Sequence, residues 1–180
     1  MAVARSRYQA SLGLPFVAAR LSRRAAVARY ATRAQPPELA RVGDVGQLTR
    51  SFSPADVADF ARLTGDDNPI HEDERFAATQ QFGRCVVHGM LYASMFSAII
   101  GQRSPGAVYL SQTLTFRKPV YLGDTLTAEV EVQRVGRAGR LLDFATRCTN
   151  EHSELVLSGD ARVLMPERNT VHASESRPGH

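Results

Sequence analysis

The segment "VVHGMLYASMFSAII", residues 86–100, is apolar on almost every side. A helix at a protein surface carries a polar stripe, so a helix of this composition is expected to be packed over most of its circumference. Its 15 residues are too few to cross a lipid bilayer. We therefore predict a central helix over residues 86–100 that lies in the middle of the hydrophobic core.

Downstream of this segment, apolar residues recur with a period of two, which is typical of strands that bury one face. The pattern occurs in "TLTAEVEVQRV" (125–135), "LLDFATRCTN" (141–150) and "ELVLSGDARVLM" (154–165), and a further strand region is "AVYLSQTLTFRKPVYLG" (107–123). The predicted inward-facing residues are Leu126, Ala128, Val130, Val132, Leu142, Phe144, Thr146, Cys148, Leu155, Leu157, Ala161 and Val163.

Short links such as "GRAGR" and "NEHSE" join these strands. Successive strands with turn-length links form an antiparallel sheet, whose apolar face needs a cover. The central helix is the element apolar enough to cover it. The predicted fold class is therefore α+β, with an antiparallel sheet wrapped around one long helix.

Upstream of the central helix, "VGQLTRSF" (45–52) is predicted to be a strand. A helix follows, because Ser53 is a good N-cap, Pro54 suits the first helical position and Gly65 suits the end. A second short helix is predicted in "EDERFAATQQFG" (72–83), which has acidic residues in its first turn and a glycine at its end.

The positive charge is concentrated at the N-terminus. The net charge is +4, but residues 1–37 carry seven arginines and no acidic residue, so residues 38–180 have a net charge of −3. An Arg-rich, acid-free segment with Ser and Ala is typical of a mitochondrial transit peptide, which indicates the mitochondrial matrix. A disordered basic arm or an RNA-binding tail is the alternative. We predict a transit peptide at 1–37, one domain at 38–166 and a flexible tail at 167–180.

The two cysteines, Cys85 and Cys148, share no short spacing with each other or with a histidine. They are predicted to be buried free thiols rather than a disulfide or a zinc site.

The loop "TGDDNPIHEDERFAATQQFG" (64–83) contains a candidate catalytic pair. Asn68 and Pro69 favour a turn that could direct Asp66 and His71 into one pocket. A carboxylate and an imidazole that converge on one point could hold and activate a water molecule. The alternative is a polar turn with a structural histidine. No second histidine stands at ligand spacing, so no metal site is predicted.

A second candidate group lies at the start of the central helix. The N–H groups of a first helical turn have no partners within the helix, and Gly89 would let a ligand oxygen approach its N–H closely. Such a donor could stabilise the enolate-like state of a thioester. Ser97 follows two turns later. The alternatives are close helix packing at Gly89 and a hydroxyl bonded back to its own helix at Ser97.

The run from residue 60 to 101, which contains "GDDNPIH" and "VVHGM", resembles the hydratase motif of the MaoC-like, R-specific enoyl-thioester hydratases, a hot-dog family. The resemblance implies a hot-dog fold and a catalytic dyad of Asp66 and His71 around a water molecule. It also implies that the Gly89 N–H binds the thioester oxygen, with Ser97 and Asn68 as supporting residues.

The implied activity is reversible interconversion of a (3R)-3-hydroxyacyl thioester with a trans-2-enoyl thioester and water, without cofactor or metal. Either dyad member could be the base. The resemblance also implies a homodimer, a substrate carried on acyl carrier protein or coenzyme A, and the dehydration step of mitochondrial fatty acid synthesis. Arg84, Arg117 and Lys118 are candidates for binding the carrier, with ordinary surface charge as the alternative. A hot-dog thioesterase and an RNA-binding protein are the rival functions, and neither a membrane nor a nucleic-acid partner is expected.

Overall fold

The computed structural model describes residues 38–136 and 139–167, which form three helices and six strands. The predicted transit peptide at 1–37 and residues 168–180 of the predicted tail lie outside this part of the chain. In chain order the elements are β1 (Val45–Ser51), α1 (Pro54–Thr64), α2 (Glu74–Ala78), α3 (Gly89–Arg103), β2 (Val108–Gln112), β3 (Thr115–Phe116), β4 (Thr125–Gly136), β5 (Leu141–Thr149) and β6 (Leu155–Leu164). None of the described helices has the length and apolar character needed to span a membrane.

The strands form one antiparallel sheet in the order β1-β4-β5-β6-β2, with β3 also paired to β6. The register places inward-facing residues of neighbouring strands opposite each other, as with Ala128 and Cys148 or Val130 and Thr146. The predicted antiparallel sheet is confirmed.

Every predicted inward-facing residue of β4 and β5 is buried. In β6 the prediction holds for Leu157, Ala161 and Val163, whereas Leu155 is only half-buried. The pairing of β5 with β6 is irregular here, because Cys148 lies opposite Leu157 and the next residue, Thr149, lies opposite Leu155. The extra residue, Val156, is buried as well, since a β-bulge interrupts the regular alternation of faces.

Helix α3 packs against the sheet through Tyr92, Ala93, Met95, Phe96, Ile99 and Ile100, all of which are buried in the core. It begins at Gly89 instead of Val86, because the two preceding valines pair with a neighbouring segment. Val86 forms an antiparallel bridge with Tyr121, and the Val87 N–H donates to the Val120 carbonyl at 2.8 Å.

One side of α3 is not covered by the described residues of this single chain. Met90, Ser94 and Ser97 are exposed, and they lie on one helical face because their spacing is four and three residues. The helix is therefore packed over less of its circumference than its composition predicts.

The first two helices illustrate how local hydrogen bonds set helix ends. Ser53 and Asp56 form a reciprocal capping box at the start of α1, and Gly65, with φ of 79°, ends it as predicted. Helix α2 ends at Ala78, five residues before the predicted Gly83. The hydroxyl and N–H of Thr79 both donate to the Phe76 carbonyl, at 2.7 and 3.0 Å, and close the helix early.

Both cysteines are buried free thiols, as predicted. Burial raises the pKa of the Cys148 thiol to about 12 and also raises the pKa of Cys85 above its ordinary value. Since the thiolate is the reactive form, both side chains act as small core residues.

Candidate active site

A cavity of about 460 Å³ lies between the loop after α1, the start of α3 and the segment after β3. Asp66, His71, His88, Arg117 and Lys118 contribute polar groups, while Met90, Tyr92, Phe116 and Val120 contribute apolar surface. This composition, a few convergent polar groups in a mostly apolar wall, is typical of a site for a small organic ligand.

The turn that carries the candidate pair is built by Asn68 and Pro69, as their residue types predict. The Asn68 side-chain oxygen accepts from the Ile70 N–H at 3.2 Å, and the Asn68 carbonyl accepts from the His71 N–H at 3.1 Å. The Pro69 carbonyl then accepts from the Asp73 N–H at 2.9 Å, at the start of α2. This short loop brings Asp66 and His71 to the same cavity.

His71 is held in one tautomer by the main chain. Its Nδ1 lies 2.7 Å from the Val86 carbonyl oxygen. A carbonyl can only accept, so Nδ1 carries the hydrogen and Nε2 keeps a free lone pair in the neutral ring. His71 is thereby prepared to take a proton at Nε2.

The Asp66 carboxylate is the second acceptor. Its side chain is 54% exposed, and one carboxylate oxygen lies within 4.8 Å of a His71 ring nitrogen. Two hydrogen bonds that meet at one water oxygen separate their acceptors by about 4.6 Å, so this upper limit on the distance is compatible with one shared water molecule.

A third group, His88, was not among the predicted site residues. It is only 1% exposed, its ring stacks on His71 with centroids 3.7 Å apart, and its Nε2 lies 3.0 Å from the Asp66 carbonyl oxygen. The signal available in the sequence was a histidine placed directly before Gly89 in an otherwise apolar segment.

Gly89 is the first residue of α3, and the His88 side chain does not cap that helix. Within the described residues, no group accepts a hydrogen bond from the Gly89 N–H. A Cβ at this position would lie 2.7 Å from the Phe116 ring, so the ring covers the place that a side chain would occupy. The helix start thus offers an unused donor at the cavity wall.

Of the remaining predicted residues, some line the cavity and others do not. Ser97 does not line the cavity, and its hydroxyl donates to the Ser94 carbonyl at 2.9 Å. Arg117 and Lys118 do line it, although Lys118 is paired with Glu154 at 2.6 Å. Arg84 instead lies over the Tyr121 ring, 3.5 Å from its centroid.

The two histidines and Asp66 also resemble a metal ligand set, with ligand atoms within 4.8 Å of one another. His88 supplies the second histidine that sequence spacing did not suggest. Metal binding at its Nε2 would place the hydrogen on Nδ1, which is buried and has no partner among the described residues. A ligating histidine normally donates its other N–H to an acceptor, so His88 does not fit the role of a metal ligand through Nε2.

Comparison with known proteins identifies the family. The family model for the MaoC like domain matches residues 40–153. The chain is 44% identical to an (R)-specific enoyl-CoA hydratase of Aeromonas caviae, over 69% of this chain and 95% of that protein. It is 40% identical to a mitochondrial 3-hydroxyacyl-[acyl-carrier-protein] dehydratase of Arabidopsis thaliana, over 77% of this chain and 85% of that protein.

The solved structures agree with this assignment. The structure of an (R)-hydratase from A. caviae involved in PHA biosynthesis matches with a TM-score of 0.68 and 43% identity, over 70% of this chain and 97% of that one. The sheet wrapped around α3 is accordingly a hot-dog fold. On the match over residues 40–153 and on these identities, the chain belongs to the family of MaoC-like domain proteins.

Proposed function

We propose that the protein is a hydro-lyase that interconverts (3R)-3-hydroxyacyl thioesters with trans-2-enoyl thioesters and water. The observation that carries this proposal is the convergence of three groups on one cavity. The Asp66 carboxylate and His71 Nε2 can hold one water molecule, and the Gly89 N–H is unused beside them. The names of the hydratase and dehydratase relatives support the same chemistry.

In the hydration direction, the water held by Asp66 and His71 attacks carbon 3 of the enoyl thioester. The dyad takes one proton from that water, and the electrons of the double bond move onto the thioester oxygen, where the Gly89 N–H stabilises the negative charge. The dyad then returns the proton to carbon 2. Atoms and charges balance, and dehydration follows the same steps in reverse.

The test uses the purified full chain and a trans-2-enoyl-CoA or the same acyl group on acyl carrier protein. We expect the enoyl absorbance to fall on hydration, with no release of free thiol and no change when a chelator such as EDTA is present. Release of thiol would instead indicate a thioesterase. Absence of turnover on both carriers at every chain length would contradict the proposal.

We place the reaction in the mitochondrial matrix, at the dehydration step of fatty acid synthesis. The support is the Arg-rich composition of residues 1–37 and the mitochondrial dehydratase relatives of Arabidopsis thaliana and Solanum lycopersicum. A fluorescent protein joined to the end of residues 1–37 should enter mitochondria. The fluorescent protein alone, without residues 1–37, should not. Nuclear or ribosomal retention of the first fusion would support the RNA-binding alternative for this segment.

We also propose a homodimer that uses the outer edge of β2. This strand ends the sheet order, and its side chains Val108 and Leu110 are 54% and 53% exposed. An edge strand that exposes apolar side chains is a site at which another chain can pair and cover them.

We expect sedimentation of the purified chain at twice its 19.7 kDa monomer mass. Leu110→Lys should shift the protein to the monomer, because it places a charge on the proposed interface. Val42→Lys is the matched control, since Val42 is 66% exposed in the turn before β1, and β1 and β2 stand at opposite ends of the sheet order. A monomeric wild-type chain would contradict the proposal.

A further inference from the structure

His88 occupies the N-cap position of α3 but does not act as a cap. Its side chain makes no hydrogen bond to the first turn of the helix. Ser, Thr, Asp and Asn are the usual N-caps because their short polar side chains reach these N–H groups. The ring of His88 is turned the other way, into the protein, where it is 1% exposed.

The buried ring contacts both members of the proposed dyad. Its Nε2 lies 3.0 Å from the carbonyl oxygen of Asp66, 22 residues earlier in the chain. Because a carbonyl can only accept, Nε2 carries the hydrogen, and in the neutral ring Nδ1 does not. The ring also contacts Phe60, with centroids 5.1 Å apart, and stacks on His71 at 3.7 Å.

Packing alone does not account for a histidine at this position. The His88 Nδ1 is buried and has no hydrogen-bond partner among the described residues, and a buried polar atom without a partner destabilises the fold. A phenylalanine could make both ring contacts, with Phe60 and His71, without this penalty. The Nε2–H bond to Asp66 is the contact that phenylalanine could not make.

We propose that His88 is a positioning residue for the dyad, an inference that rests on the proposed hydro-lyase function. Its Nε2–H holds the main chain of Asp66, so the carboxylate projects from a fixed point. The nearer carboxylate oxygen lies 4.0 Å from Nε2, too far for a hydrogen bond, and stays free for the water molecule. The stacked ring meanwhile fixes the plane of His71.

Two substitutions separate the donor from the ring. His88→Gln places an amide N–H close to the position of Nε2, and His88→Phe keeps an aromatic ring but removes the donor. We expect His88→Phe to lower kcat about 30-fold with KM changed less than about 3-fold, since a small displacement of a catalytic group lowers the rate of the chemical step. His88→Gln should remain within about 5-fold of wild-type kcat. Equal kcat values for the two folded variants would overturn the proposal.

A second measurement requires no turnover. In the ¹⁵N NMR spectrum of histidine-labelled full-length protein at about pH 8.5, above the pKa of a free imidazole, His88 should carry its hydrogen on Nε2 and His71 on Nδ1. The signals are assigned by their loss in His88→Gln and His71→Ala. A His88 ring with hydrogen on Nδ1 would overturn the positioning role. An inactive wild-type enzyme with the expected tautomers would instead count against the hydro-lyase function alone.

Discussion

Asp66→Asn and His71→Ala are each expected to lower kcat/KM on a trans-2-enoyl thioester by about 100-fold or more, because each removes one of the two groups that hold and activate the water. Asparagine keeps the size of Asp66 but cannot accept a proton from water at neutral pH. Alanine removes the Nε2 lone pair that the Val86 carbonyl keeps free. The measurement is steady-state kinetics of enoyl absorbance with the full chain.

The matched control is Asp67→Asn, which makes the same change, one carboxylate oxygen to an amide nitrogen, at the adjacent exposed residue. Asp67 does not line the cavity, so this variant should stay within about 3-fold of wild type. Circular dichroism and thermal melting would establish that all three variants fold. If Asp66→Asn and His71→Ala were as active as Asp67→Asn, the dyad would be wrongly assigned.

Gly159→Ala is expected to destabilise the fold by about 3 kcal/mol, equivalent to a melting temperature lower by roughly 10 °C. A Cβ on Gly159 would overlap the carbonyl oxygen of Thr113, in the link between β2 and β3. Neither atom belongs to a flexible side chain, so the two backbones would have to separate. Two hydrogen bonds between Thr113 and Asp160, at 2.8 and 2.9 Å, would be strained in the process.

Gly136→Ala is the control for this substitution. Gly136 also lies in the sheet, and the nearest atom to its added Cβ would be the Leu141 carbonyl oxygen at an ordinary 3.7 Å. Its melting temperature should change by less than about 3 °C. Equal melting temperatures for the two alanine variants would show that the β2–β3 link moves away from residue 159 with no loss of stability.

The close approach at Gly159 also matters for the cavity. The β2–β3 link that lies against Gly159 continues into β3, whose Phe116 covers Gly89. A Gly159→Ala protein that still folds should therefore show altered KM as well as lower stability.

The parts of the fold that follow from local pattern were predicted from the sequence. The burial of β4 and β5 follows from period-two alternation, and the start of α1 follows from the Ser53 cap. The parts of the fold that depend on residues distant in sequence were not predicted. The start of α3 depends on the pairing of Val87 with Val120, and the burial of Val156 depends on a bulge opposite β5.

In the candidate site too, local features could be predicted and features that depend on tertiary packing could not. The turn chemistry of Asn68 and Pro69 is local, so the approach of Asp66 to His71 could be predicted from it. The contact of His88 with Asp66 could not be predicted, because it forms only when α3 is packed beside the loop that carries Asp66. The supporting role of Ser97 was an implication of the family resemblance, and its hydroxyl makes the alternative contact, a hydrogen bond within its own helix.

The uncapped start of α3 links ligand binding to folding. The His88 side chain is committed to Asp66 and does not cap the helix, and the Gly89 N–H has no partner among the described residues. A thioester carbonyl bound there would complete the first turn, so the substrate would serve as the missing helix cap. Any acyl thioester that binds only the folded protein should then raise its melting temperature, by an amount equivalent to about 2.7 kcal/mol at 100 times its Kd.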